Sequence, residues 1–261
     1  MKKTLLVVGL FLVVCAVALY FVLEYTNSIK EDNISPTLVN PTIQIKTTTK
    51  TASEEDSNLN YEITANYPAF SGLVDATAQD KINQGIKNFV AGEIEDFKKY
   101  ASENCNFSDL PNPPVWGCEM IITSNGFNLA KESILSVRME DYRFTGGAHG
   151  GTTYTFLNYD INTGEKIDWK SIFMGDSQYL QKIADYSMTD LKKQLLKPDE
   201  SSTDEGWIVR GTEPIDENYN TNVGYDKNGL FIIFQQYQVA AYAAGPQQVI
   251  IPFAELQGFL K

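Results

Sequence analysis

The chain has 261 residues, room for one large or two small domains, and its 43% apolar and 21% charged content is that of a globular protein with a proper core. A formal net charge of -12 argues against nucleic acid as a partner, because a polyanion is bound through basic surface that displaces counterions. The same charge keeps a protein soluble and suits a basic partner.

Met1-Lys2-Lys3 opens the chain with positive charge, and Leu5–Leu23, "LLVVGLFLVVCAVALYFVL", follows without a charged residue. At 1.5 Å rise per residue such a run nearly spans a bilayer core of about 30 Å. Lysines before it and Glu24 after it predict a single-pass anchor at the cell membrane with the bulk of the chain extracytoplasmic. Two other readings compete. "AVA" at 16–18 resembles a signal-peptidase site, and cleavage near Ala18 releases a secreted protein. "LVVC" at 12–15 resembles a lipoprotein site, although Val14 is bulky where a small residue is usual. Apolar residues continue past both sites, which favours the uncleaved anchor. Four residues precede the run, so no inner domain is expected. Residues 24–57 are rich in Thr, Ser, Asn and charge, lack helical periodicity, and read as a flexible linker.

The globular pattern starts near Asn60. "NYEITANYPAF" alternates as a strand does. Residues 75–102 place Ile82, Ile86, Phe89, Val90, Phe97 and Ala101 on one helical face, with Asp75 as N-cap. "CEMIITSNGFNLAKESILSVRMEDYRF" predicts two or three strands with a turn at "SNG". "TYTFLNYDINTGEKIDW" predicts a hairpin turning at Asn162-Thr163-Gly164. A second amphipathic helix carries Leu180, Ile183, Ser187, Leu191 and Leu195, with Asp176 as N-cap. An acidic loop at 197–214 leads to strands that turn at Lys227-Asn228-Gly229 and end in "QQVIIPF". The class is α+β: two helix-plus-antiparallel-sheet units, preceded by a membrane helix and a linker. The units, 58–150 and 151–261, form two domains or share one sheet.

Three cysteines are present. Cys105 and Cys118 bracket "NFSDLPNPPVWG", which has little regular structure of its own. A disulfide between them removes loop entropy from the unfolded chain, roughly 3 kcal/mol, and needs an oxidising compartment. The alternatives are two buried free thiols, or a zinc site that one histidine leaves short of ligands. No cofactor or metal is expected.

His149 is the single histidine and sits in "GGAHGG", residues 146–151. The sequence lacks HExxH, a P-loop and a GxSxG elbow, and no carboxylate pair stands out among 33 acidic residues. A catalytic triad built on His149 lacks an evident nucleophile. The expectation is therefore a protein that is not an enzyme. The four glycines allow left-handed backbone and close approach, so a tight passage at the junction of the two units is the structural reading. In the functional reading His149 meets a partner, together with aromatic anchors drawn from Tyr142, Tyr237 and Tyr242. Each of these tyrosines also suits a core position.

"FTGGAHGGTTYTFLNYDINTGEKIDWKSIF" and "YQVAAYAAGPQQVIIPFAEL" resemble the signatures of a PdaC-type N-terminal module followed by an RsiV-type C-terminal module, over roughly residues 56–260. The resemblance implies a bacterial extracytoplasmic envelope protein. RsiV-type proteins are anti-sigma factors whose outer domains bind lysozyme, and PdaC carries its module ahead of a deacetylase domain. The sequence shows neither an anti-sigma segment before Leu5 nor deacetylase histidines, so the shared modules remain. They imply a cell-envelope binding module, with lysozyme or peptidoglycan as the partner. The alternatives are a glycan-acting wall enzyme using carboxylates or His149, and an envelope protein that associates with itself.

Overall fold

Tyr61, Ile63 and Ala65 alternate with more exposed neighbours, and this two-residue period lays down the strand around which the first sheet assembles. The computed structural model describes residues 45–105, 117–130, 133–175, 178–196 and 204–261, all within one unit spanning Ile43–Lys261. A five-stranded sheet runs in the order β1 (Lys46–Asp56), β2 (Tyr61–Ser71), β3 (Cys118–Ala130), β4 (Ile134–Phe144), β5 (Gly151–Asp160). Between β2 and β3 lies the long helix α1 (Ala76–Asn104). The Asp75 carboxylate caps it by accepting from the Ala78 N–H at 2.8 Å. Ile82, Ile86, Val90, Phe97 and Ala101 are buried against the sheet, as the spacing predicts, while Phe89 is partly buried.

The second layer holds α2 (Gln178–Leu195), the short α3 (Glu205–Gly211), and a three-stranded antiparallel sheet, β6 (Val223–Tyr225), β7 (Gly229–Phe234) and β8 (Gln247–Pro252). Leu180, Ile183, Ser187 and Leu191 are buried, and Leu195 packs at the margin of the same core. The Lys227-Asn228 turn joins β6 to β7 through paired bonds between Asp226 and Gly229. The Asp176 cap and residues 1–44 lie outside the described residues. Among the described residues no helix is long and apolar enough to cross a membrane; Leu5–Leu23 is not among them.

The α+β class holds, and several finer expectations are corrected. The first sheet is mixed: β2 and β3 run parallel from Tyr61–Cys118 to Ala65–Ile122, with α1 as the crossover. Lys46–Asp56, expected at the end of the linker, pairs with β2 along its whole length. Its threonines are good strand formers, and its exposure on both faces explains why no apolar alternation marked it. "SNG" is no turn. β3 passes through it with a bulge between Ser124 and Phe127, where Gly126 takes φ +109°. The turn expected at Asn162-Thr163-Gly164 is present, with the Gly164 N–H donating to the Asp160 carbonyl at 2.7 Å, but the return arm is short and pairs with the end of β5 only through the Tyr159–Lys166 bridge and its flanking bonds. The segment 205–211 is helical rather than looped, capped by Asp204. Finally, "GGAHGG" does not join two units: residues 145–150 close a β4–β5 hairpin inside the first sheet.

Cys105 and Cys118 form the disulfide, with 5.7 Å between their Cα atoms. It ties the C-cap of α1 to the first residue of β3, so it fixes both ends of the second half of the crossover. The two sheets meet through a buried polar stitch. Ser136 Oγ donates to Asn158 Oδ1 at 2.7 Å and accepts from the Tyr225 N–H at 3.0 Å. Asn158 Nδ2 donates to the Val223 carbonyl at 3.1 Å. Gly224 permits this approach, because a Cβ there would sit 2.2 Å from the Phe156 ring and 2.5 Å from Ser136 Oγ.

Two stability outcomes follow from these contacts. Gly224→Ala forces Phe156 or β6 to move and lowers the unfolding free energy by about 3 kcal/mol in urea titrations, as overpacking does. Replacing Cys105 and Cys118 together by alanine lowers it by roughly 3 kcal/mol, and added reductant then has no further effect.

Candidate functional site

The sequence Gln235-Gln236-Tyr237-Gln238 leaves β7 and at once runs along the open edge of β5. Gln235 behaves as a short piece of strand: its Oε1 accepts from the Tyr154 N–H at 2.9 Å and its Nε2 donates to the Tyr154 carbonyl at 2.8 Å. Gln236 Oε1 accepts from the Thr152 N–H at 3.1 Å. Gln238 turns the other way. Its Oε1 accepts from the Gln235 N–H at 2.9 Å, and its Nε2 donates to the Gly211 and Asn218 carbonyls, each at 3.1 Å. Three glutamines thus fix the backbone on both sides of Tyr237.

Tyr237 itself adopts φ +67°, a left-handed conformation rarely taken by a bulky residue. It is also 54% exposed. A strained, exposed aromatic held by a polar frame is the kind of outlier that clusters at functional sites. Its hydroxyl lies 3.4 Å from His149 Nε2. The Tyr242 ring stacks on His149 with 3.8 Å between centroids and 20° between planes. The Tyr242 hydroxyl donates to the Gly150 carbonyl at 3.0 Å, and His149 Nδ1 lies 2.9 Å from the same oxygen. Tyr237 packs at 5.6 Å from Tyr242 and 6.4 Å from Trp207.

The four residues singled out by sequence therefore converge. Tyr142 completes the group: its ring lies over Gly150, so closely that a Cβ at Gly150 would be 2.4 Å from it. Of the four glycines, Gly146 and Gly147 take positive φ to turn the hairpin, whereas Gly150 gives the tyrosine room. His149 is exposed at the hairpin tip rather than enclosed between strands. Trp207 and the three glutamines were missed. Trp207 stands on a helix read as loop, and the glutamines carry a signal only in retrospect, as amides clustered just past an apolar strand.

The aromatic wall borders a cleft of about 430 Å³, which is also lined by Asp141, Arg143, Thr145 and Thr152. Arg143 is held between carboxylates: it pairs with Asp141 Oδ2 at 2.7 Å and with Glu93 of α1. Its guanidinium lies 5.9 Å above the Phe97 ring. Burial opposes the Arg143 charge, but the hydrogen bond and charge of Asp141, with Glu93, outweigh it and raise the pKa further. Burial, then the Asp141 charge, pushes the Glu93 carboxyl up against the pull of Arg143. The Asp141 side chain is only 10% exposed and its Oδ1 is enclosed, and a hydrogen bond with Asp141 is among the causes that raise Glu93. Among the described residues no group of three or more His, Cys, Asp or Glu is placed to hold a metal ion.

Two family models match parts of the chain. Residues 54–152 match the family model described as deacetylase PdaC, and residues 170–254 match that of a protein of unknown function, DUF3298. The chain is thus similar in tandem to a PdaC-type and a DUF3298-type segment; the C-terminal match is to DUF3298 rather than to a protein described as RsiV-type. Among individual relatives, it is 26% identical over 212 residues to the peptidoglycan-N-acetylmuramic acid deacetylase PdaC of Bacillus subtilis. That match covers 81% of this chain but 41% of the enzyme, so the chain spans less than half of that relative's length. It is 23% identical over 217 residues to the immunogenic protein MPT64 of Mycobacterium tuberculosis, covering 81% of this chain and 89% of MPT64. A DUF3298-family crystal structure from Bacteroides fragilis shares the fold with a TM-score of 0.56 at 19% identity, over 84% of this chain and 94% of that one. A second, from Pseudomonas aeruginosa, gives 0.52 at 14%, over 84% and 95%.

The left-handed Tyr237 gives a direct check on strain. Tyr237→Gly removes the steric penalty of the left-handed backbone and raises the thermal unfolding free energy by about 1 kcal/mol, although a half-exposed ring is lost. Tyr237→Ala, which keeps a Cβ at positive φ, brings no such gain.

Proposed function

We propose that this chain is an extracytoplasmic cell-envelope module that binds the glycan of peptidoglycan without turning it over, anchored through residues 5–23. The observation that carries the reading is the aromatic wall of Tyr237, Tyr242 and His149, beside a cleft lined with hydroxyl and amide groups. Sugar rings present apolar C–H faces and a rim of hydroxyls, so they match stacked aromatics flanked by Asp, Thr and Gln. Strain at Tyr237 supports it too, since the glutamine frame spends stability to hold one ring outward. The similarity to a peptidoglycan-modifying enzyme and the unassigned DUF3298 segment suit a wall-associated role.

A second reading rests on charge. At a net charge of -12 the chain attracts basic proteins, and lysozyme, itself commonly basic, is the partner implied by the RsiV-type resemblance. The enzyme alternative would use Asp141 and Glu93, the carboxylates gathered around Arg143, or His149.

Calorimetric titration of the full chain in detergent separates the three. Soluble peptidoglycan fragments bind, and Tyr237→Ala or Tyr242→Ala weakens them at least about tenfold, as loss of an aromatic anchor does. Binding of lysozyme alone replaces the glycan by the protein partner. Release of product from peptidoglycan by the wild-type chain, lost in His149→Ala, overturns the non-catalytic reading.

A further inference from the structure

The five-stranded sheet treats its two edges differently. Gln235 and Gln236 cover the β5 edge from the second layer. The β1 edge is open: among the described residues β1 pairs with β2 alone. An open edge offers a row of backbone N–H and C=O groups to any extended segment that matches it, and folded proteins blunt such edges with short strands, proline, bulges or charge. β1 is eleven residues long, contains no proline, and keeps one register against β2 from Lys46–Ser71 to Asp56–Tyr61. None of its residues is buried, so its regularity is not explained by a contribution to the core. Charge remains, and it is segregated. Lys46 and Lys50 stand in the first half of "KTTTKTASEED", and Glu54, Glu55 and Asp56 end it. Neither lysine forms an ion pair among the described residues. A parallel copy in register sets each lysine against its own image, which is repulsive. An antiparallel copy sets the basic half against the acidic half.

We infer that β1 is a self-association edge: a second copy of this chain adds its own β1 antiparallel, about a two-fold axis at Ala52, and two five-stranded sheets join into one. In this register the strands overlap over Thr48–Asp56. Lys50 faces Glu54 of the second copy, and the symmetry repeats that pair on the other side of the axis. Lys46 lies diagonal to Asp56 of the second copy, within reach of a long side chain. The carboxylates are available. Asp56 uses Oδ1 to accept from the Asn58 and Leu59 N–H groups, which leaves Oδ2. Glu54 accepts from Tyr61 and Lys98, and its side chain is still 42% exposed. The intervening threonines are strand formers that suit cross-strand pairs. Space permits the join. Helix α1 packs on β2, so the two copies of α1 stand on the same face three strand spacings apart, roughly 14 Å, beyond the contact distance of packed helices. The seam is polar and one strand deep, so it is a weak interface, with a dissociation constant on the order of 100 μM. Chains tethered to one membrane, as proposed above, meet at a raised effective concentration.

Sedimentation equilibrium and oxidative cross-linking of the full chain in detergent, carrying Cys15→Ser, test the seam. The expected result is a reversible dimer, which Lys46→Glu with Lys50→Glu weakens at least about tenfold, because attraction across the seam becomes repulsion. Ala52→Cys stands opposite its own image across the axis and gives a disulfide-linked dimer on mild oxidation. Thr47→Cys, toward the far end of the strand, does not. A chain that stays monomeric at about ten times the expected dissociation constant overturns the inference. A dimer that survives the charge reversal marks association elsewhere in the chain and also overturns it. Equal cross-linking at positions 47 and 52 marks random collision, with the same consequence. Should the charge-reversed variant fail to fold by circular dichroism, the cross-linking comparison still decides.

Discussion

The open edge of β5 is the constraint on which the rest depends. An edge strand presents backbone N–H and C=O groups that must find partners, and here the second layer supplies them. The Phe156 N–H donates to the Thr221 carbonyl at 2.8 Å, and Gln235 and Gln236 serve the Tyr154 and Thr152 positions. Inside this seam Ser136 and Asn158 are both buried, and each polar atom that they bring is matched against β6 or against the other. Polar groups cost free energy when buried alone and specify geometry when satisfied together. The seam therefore fixes where the second sheet lies on the first.

The candidate site is a consequence of that seam. The β4–β5 hairpin brings His149 and Gly150 to one end of the first sheet, and the β7–β8 connection brings Tyr237 and Tyr242 from the second. Neither segment forms the aromatic wall alone. Gln235 and Gln236 satisfy the β5 edge, and Tyr237 follows directly, so the bonds that dock the layers also hold the strained tyrosine outward. A site assembled from two layers needs each layer's register to be exact within a fraction of a side chain. The buried disulfide, the capped α1 and the Gly224 contact all serve that register at a distance.

Much of the local structure was legible in the sequence. The α1 face from Ile82 to Ala101, the Asp75 cap, the α2 face, the Lys227-Asn228 turn and the Cys105–Cys118 pair follow from periodicity, capping chemistry and spacing. These are interactions between residues close along the chain, where geometry is set by the backbone itself. β1 escaped because an exposed edge strand of Lys, Thr and Glu carries no apolar alternation. The "SNG" bulge and the "GGAHGG" hairpin were misread because the same glycines serve turns, bulges and junctions alike, and only strand pairing tells them apart.

Tyr142, His149, Tyr237 and Tyr242 could be named from residue type and from the motifs in which they sit. That they meet could not be read, because His149 and Tyr237 lie 88 residues apart and are joined by pairing between sheets. Sequence by itself determined the two long helices with their buried faces, most of the strands, and the kinds of side chain available for recognition. Tertiary structure alone decided the parallel β2–β3 pairing, the placement of β5 in the first sheet, and the cleft. The physical reason is range: helix faces, caps and turns are fixed within a few residues, whereas the open edge of β5 finds its partners only when the second layer packs against it.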